Sequence, residues 1–173
     1  DKSADARVVA ALCAERVTLY AASVPVFLHY LGRAKAMVAQ GQGLEARLAD
    51  AFPAGQQFGT AAGYALRVAY PLAGRAVPAP LTDAAFERIE MAIAALGRLD
   101  AAEFAGAAER VIAHRAGTAD LRQTGADFLF LYGLPNFFFH LTMGYASLRS
   151  AGVPLGKADF DAMHSYPADF RFS

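Results

Sequence analysis

The sequence predicts an all-α protein, a four-helix bundle with one short hairpin or extended excursion before its last helix. Three observations carry this expectation. Apolar residues recur at three- and four-residue steps in four separate segments, the spacing that lines one face of a helix. Glycine and proline mark the joints between those segments. The stretch 109–123 breaks the helical period, placing Val111, Ala113 and Leu121 around the turn-prone AGTAD. Amphipathic helices of this number bury their stripes against one another.

In chain order, Ala4 to Arg16 has helical composition outside the better-patterned body, and reads as an extra N-terminal helix. Body helix one runs from about Leu19 to Gln40, with Val24, Phe27, Leu28, Leu31 and Val38 inward and His29, Arg33 and Lys35 towards water. Pro25 suggests a restart capped by Ser23, and Gly41 and Gly43 end the helix. A loop to Gly55, with a short turn at Leu44 to Ala49, leads into helix two from Gln56 to about Leu72. Helix two is rich in alanine and glycine, so it can approach a neighbour closely, and its mediocre propensity leaves tertiary packing to hold it. Pro71 and Gly74 close it, and VPAP at 77–80 is an extended connector.

Thr82 and Asp83 open helix three, whose Phe86, Ile89, Ile93 and Leu96 form a stripe towards the core. Asp100 and Glu103 form a short capping signature for a turn or two of helix. The 109–123 excursion follows, with His114 expected to face solvent. Thr124 and Asp127 then begin the most apolar element, TGADFLFLYGLPNFFFHLTMGYASLR, up to Arg149. Pro135 lacks an amide for the carbonyl of Leu131 and predicts a kink there. Gly152 and Pro154 stop this helix, and the tail can pack across the bundle's end or across a partner subunit. The whole chain reads as a single domain, with a body at 19–160, an added segment at 1–17 and a tail at 161–173.

Composition narrows function. Lysine plus arginine equals aspartate plus glutamate at 16 each, so no basic excess exists to neutralise phosphates, and nucleic acid is not an expected partner. No apolar run approaches the length of roughly 18 residues that crosses a bilayer, so no membrane partner is expected. Apolar types reach 55% against 18% charged, more than one core readily buries, and a homodimer is the simplest outlet. Cys13 is alone, which excludes an internal disulfide and suits a cytoplasmic location.

The chemistry-bearing residues are few. Tyr132, Asn136 and His140 lie at four-residue steps and form one polar line down the greasy last helix. Asn136 has a structural reading beside its functional one, repair of the carbonyl freed by Pro135, and His140 can equally be a core histidine bonded to a neighbour. Tyr20, Tyr30, Tyr64, Tyr132 and Tyr145, with Phe27, Phe58, Phe128 and Phe139, can line a small-molecule pocket between helices, with Asn136 and His140 as its polar contacts. The same aromatics also serve as plain core. Helical metal sites draw on His at i and i+4 or on Glu-x-x-His, and neither pattern is present. The histidines, His29, His114, His140 and His164, fall on four separate segments, so neither a metal nor a cofactor is expected. No Gly-x-Ser-x-Gly elbow or glycine-rich phosphate loop occurs, and Cys13 reads as a small structural thiol.

The opening LYAASVPVF at 19–27 and the closing LPNFFFHLTMGYASLRSAGVPLGKADF at 134–160 resemble the two ends of the bacterial domain-of-unknown-function family numbered 1993, which belongs with the DinB-like four-helix bundles. The resemblance spans about 19–160. It implies a bundle, often dimeric, in a family without an established activity. Metal-binding DinB relatives hold a divalent ion with one histidine from helix two and two from the last helix, and some are thiol-dependent transferases or isomerases. Members of the narrower family often carry an Asp-His pair on helix two. By that comparison His140 matches a last-helix histidine, while Gly63 and Tyr64 stand in place of the Asp-His pair and Gly144 lies one turn beyond His140. The expectation is therefore a non-catalytic or small-molecule-binding homodimer with a cleft between helix two and the last helix. The alternative is a metal-assisted transferase or hydrolase that uses His140.

Overall fold

The computed structural model describes residues 18–80 and 82–167. The expected N-terminal helix at Ala4 to Arg16, with Cys13, lies outside the described residues, as does the end of the tail. Among the described residues the chain is mostly helical with one two-stranded antiparallel sheet, which stands at the expected excursion. No helix among them is long and apolar enough to cross a membrane.

Helix α1 is Val24–Val38 and buries Val24, Phe27, Leu31, Ala34, Met37 and Val38. Pro25 sits in its first turn, where a missing amide costs nothing, because the first amides of a helix have no partner within it. Ser23 was expected to cap this helix, yet its hydroxyl instead donates back to the carbonyl of Leu19 at 2.5 Å. Helix α2 is Ala54–Leu72, with Pro71 inside its last turn and Gly74 turning the chain at φ +73°. Helix α3 is Ala85–Leu96, starting a few residues after Thr82, whose hydroxyl accepts the amide of Ala84. The Asp100–Glu103 box is present on a 3-10 turn, Ala101–Phe104.

Strands β1, Val111–Ala116, and β2, Ala119–Thr124, form a hairpin that turns at Gly117 and Thr118. The last helix, α4, then runs through Gly125–Asp127, a π-helical Phe128–Gly133 and Leu134–Ser150. Thr124 caps it by accepting the amide of Asp127 at 3.2 Å. Where the sequence predicts a kink at Pro135, the chain shifts register just before the proline. The amide of Leu134 donates to the carbonyl of Leu129, five residues back, and a single π stretch of this kind absorbs the misfit without ending the helix. Asn136, expected to bond the carbonyl of Leu131 that Pro135 leaves free, donates instead from Nδ2 to the next carbonyl, that of Tyr132, at 2.8 Å.

A short helix α5, Lys157–Asp161, brings the start of the tail back onto α1. Two α1 side chains expected to point to water anchor it instead: His29 Nε2 donates to the carbonyl of Asp161 at 2.8 Å and Arg33 Nε to that of Asp159 at 2.9 Å. Phe160 fits between Tyr30 and Tyr145, with ring centroids 5.6 and 5.4 Å away.

The broadest helix contact is between α2 and α4, and the sequence explains how they come so close. A Cβ on Gly133 would stand 2.8 Å from both methyls of Val68, and one on Gly144 would stand 2.9 Å from the ring of Phe58. Glycine is the residue that permits both contacts without displacement. Gly133→Ala is expected to lower stability by about 1–3 kcal/mol in denaturant titration, the usual cost of overpacking a filled interior. Combining it with Val68→Ala should cost less than the sum of the two single changes, since removing the methyls relieves the overlap.

Candidate functional site

The close contact of α2 with α4 brings polar side chains together between the two helices. Tyr64, on α2, stacks on His140, on α4, with ring centroids 5.4 Å apart and planes 21° from parallel. Tyr132 stands one and two turns before Asn136 and His140 on α4, and its ring meets that of Tyr64 edge-on at 5.9 Å. All three side chains are half-buried. Of the residues expected at a ligand site, the structure therefore gathers Tyr64, Tyr132 and His140. Asn136 turns to the backbone, donating to the carbonyl of Tyr132.

Three further side chains join the cluster. Gln57 accepts from His140 Nδ1 through Oε1 at 2.7 Å, so Nδ1 carries the proton and Nε2 keeps the lone pair. Arg67 lies over the Tyr64 ring, its guanidinium carbon 4.2 Å from the ring centre. His114 was expected to be exposed and is half-buried, packing on Tyr132 at 4.3 Å and on Phe128 at 4.8 Å. Its Nε2 donates to Gln123 Oε1 at 2.7 Å, while its Nδ1 is buried and has no hydrogen-bond partner among the described residues. The physical reason is the hairpin register. His114 pairs with Leu121, so Gln123 is its diagonal neighbour on the same face, and that face lies against α4. Arg67 was legible in principle, being one helical turn beyond Tyr64, and so was Gln57, two turns before it.

Burial, followed by the hydrogen bond with Tyr64, pushes the Tyr132 phenol up to about 12, which keeps it a protonated donor and rules it out as a base. Burial, followed by the charge of Arg67, holds the His140 imidazole below its ordinary value, so the ring stays neutral at pH 7. The Tyr132 phenol and the neutral His140 imidazole supply directed hydrogen bonds, with the Arg67 guanidinium as the charge beside them.

The donor set does not fit a metal ion. Among the described residues no group of three His, Cys, Asp or Glu side chains is placed to hold one. Gly144, one turn beyond His140, is covered by the ring of Phe58, so no ligand side chain fits there while that packing stands. Two cavities flank α2, one of about 970 Å³ beside Leu44, Gln56 and Phe86, and one of about 760 Å³ between α2, α3 and the 77–80 connector. None of Tyr64, Tyr132, Asn136 and His140 lines either.

The chain is similar to a DinB family member protein from Shewanella denitrificans, whose crystal structure at 1.83 Å superposes with a TM-score of 0.75 and 27% identity, covering 87% of this chain and 95% of that one. Residues 19–161 match the family described as a domain of unknown function (DUF1993), and the chain belongs to that family. No curated protein matches the chain.

Because the folded pKa of His140 lies below that of the unfolded chain, protonation favours unfolding. The stability this group contributes is complete above about pH 6.5 and is lost as pH falls through the folded value. Arg67→Gln is expected to raise the His140 pKa in an NMR titration and to flatten the part of the acid stability loss that His140→Gln also removes. An unchanged pKa would show that burial alone depresses it.

Proposed function

We propose that this protein is a cytoplasmic DinB-like four-helix bundle that acts as a homodimer and binds a small molecule, without transforming it, in the cleft between α2 and α4. The observation that carries the reading is the Tyr64–His140–Tyr132 assembly: aromatic faces for an apolar ligand, with neutral donors and acceptors to orient it. Tyr64, Tyr132 and His140 are the contacts. Asn136 supports them by holding α4 together across the proline. No cofactor is needed for binding of this kind.

Homodimerisation is supported by an apolar stripe on α4. Leu131 is 70% exposed and Phe139 57% exposed, and with exposed Pro135 between them they follow the four-residue spacing of one helix face. The lone cysteine supports a reducing compartment. The metal-assisted transferase or hydrolase reading finds less support, because His140 is the one member of the relatives' histidine set that this chain keeps in the cluster. Tyr64 and Gly144 stand at the other two positions.

Native mass spectrometry after gentle lysis, without an affinity tag, tests the reading in one experiment. The expected spectrum is a dimer carrying a non-covalent adduct, with the adduct lost in His140→Ala and reduced in Tyr64→Phe, each variant remaining folded by circular dichroism. A monomer, or an adduct that persists in both variants, would overturn the reading.

A further inference from the structure

The cavity between α2 and α3 has a different character from the α2–α4 cluster. Its volume of about 760 Å³ is within the range of small-ligand sites. Leu66, Met91 and Val77 give it apolar walls, and Pro78 and Pro80 make the connector across it a stiff extended edge. Arg67, Arg88 and Arg98 supply its charge, and no carboxylate is among the described residues that line it. In a chain whose formal charges cancel, three arginines around one cavity are a local excess that needs an explanation.

The arginines are placed by the small residues of α2. A Cβ on Gly59 would lie 3.4 Å from Arg88 Cδ, so the Arg88 side chain runs flat along α2 in a groove that glycine leaves open. Above Gly63, a single Cβ position lies 3.3 Å from Arg88 Nη2 and 3.9 Å from Arg67 Nη2, so the two nitrogens are within about 7 Å of each other. That separation is one that a carboxylate or phosphate group can bridge. The charges are poorly compensated otherwise. Arg88 Nη1 is 3.9 Å from Asp83 Oδ1, a long contact to a fully exposed side chain, and Arg67 turns its Nε to the carbonyl of Gly63 at 3.4 Å while its guanidinium lies over Tyr64. Two like charges held close at an apolar cavity repel each other, and an anion between them relieves the repulsion.

We propose that this cavity is a second binding site, for a small organic anion whose carboxylate or phosphate head is held by Arg67 and Arg88 and whose apolar body lies against Leu66, Met91 and Val77. Arg98 contributes long-range attraction from the rim. The site is distinct from the proposed α2–α4 ligand site and shares Arg67 with it.

Titration of the full chain with octanoate, 1-octanol and inorganic phosphate tests it, read by calorimetry and by the NMR signal of the Met91 methyl. Octanoate is expected to move the Met91 signal and to bind at least about tenfold more tightly than either the alcohol, which lacks the charge, or phosphate, which lacks the apolar body. Arg88→Gln should weaken octanoate by about tenfold or more, the usual effect of removing a charge-assisted pair, and Arg88→Lys by less. Arg98→Gln, an exposed change with little bearing on folding, should give a smaller loss that fades with added salt. His140→Ala should leave octanoate binding intact, which separates this site from the α2–α4 reading. Octanol binding as tightly as octanoate, a Met91 signal that does not move, or undiminished affinity in Arg88→Gln would each overturn the proposal.

Discussion

The distance between α2 and α4 governs most of what this molecule can do, and two glycines on α4 set it. Gly133 gives room to Val68 and Gly144 to Phe58, so each bulky α2 side chain reaches the backbone of the facing helix. Dense packing of this kind makes the contact stable and also unforgiving, because an interior at normal density has no slack for one more methyl. Tyr64 and His140 stack because the helices that carry them are this close. The same closeness closes off the position a turn beyond His140, where Phe58 sits. A helix pair with this spacing can hold an aromatic and imidazole cluster but has no room for the extra side chain that a metal centre built on the last helix would need.

The π-helical stretch before Pro135 serves the same end. A sharp kink would have swung the C-terminal half of α4, with His140, away from α2. Shifting the register over Phe128–Gly133 leaves Pro135 in the first turn of a fresh α-helical segment, where it is tolerated, and Asn136 bonds the nearby carbonyl of Tyr132. Continuity of α4 therefore keeps Tyr132 and His140 on one side of one element. The start of α4 packs just as tightly on the segment that precedes the hairpin, since a Cβ on Gly125 would lie 1.9 Å from the carbonyl oxygen of Ala107.

Much of this was legible in the sequence. The helices announced themselves through apolar periodicity, the hairpin through its broken period, and the Thr124 and Asp100 caps through side chains that satisfy end amides over a few residues. Such signals are local, and local geometry decides them. Ser23 failed as a cap because a hydroxyl can equally bond a carbonyl four residues back. Tyr64, Tyr132 and His140 could be nominated as polar residues on apolar faces, and their family resemblance paired them. Gln57, Arg67 and His114 were not nominated, because whether a polar side chain turns inward depends on how a neighbouring element docks. The burial of His114 follows from the placement of a hairpin face, and the roles of Gly133 and Gly144 from the side chains opposite them, neither of which periodicity encodes.

The dependence of the cluster on helix spacing is open to one direct measurement, the NMR titration of His140 in a Gly144→Ala variant. If the spacing holds the cluster together, the added methyl pushes α4 from Phe58, His140 loses burial and the influence of Arg67, and its pKa rises towards 6.5, the ordinary value. An unchanged His140 pKa in a variant that is measurably less stable would contradict this, showing that the cluster is held by its own contacts and that the glycines matter to stability alone.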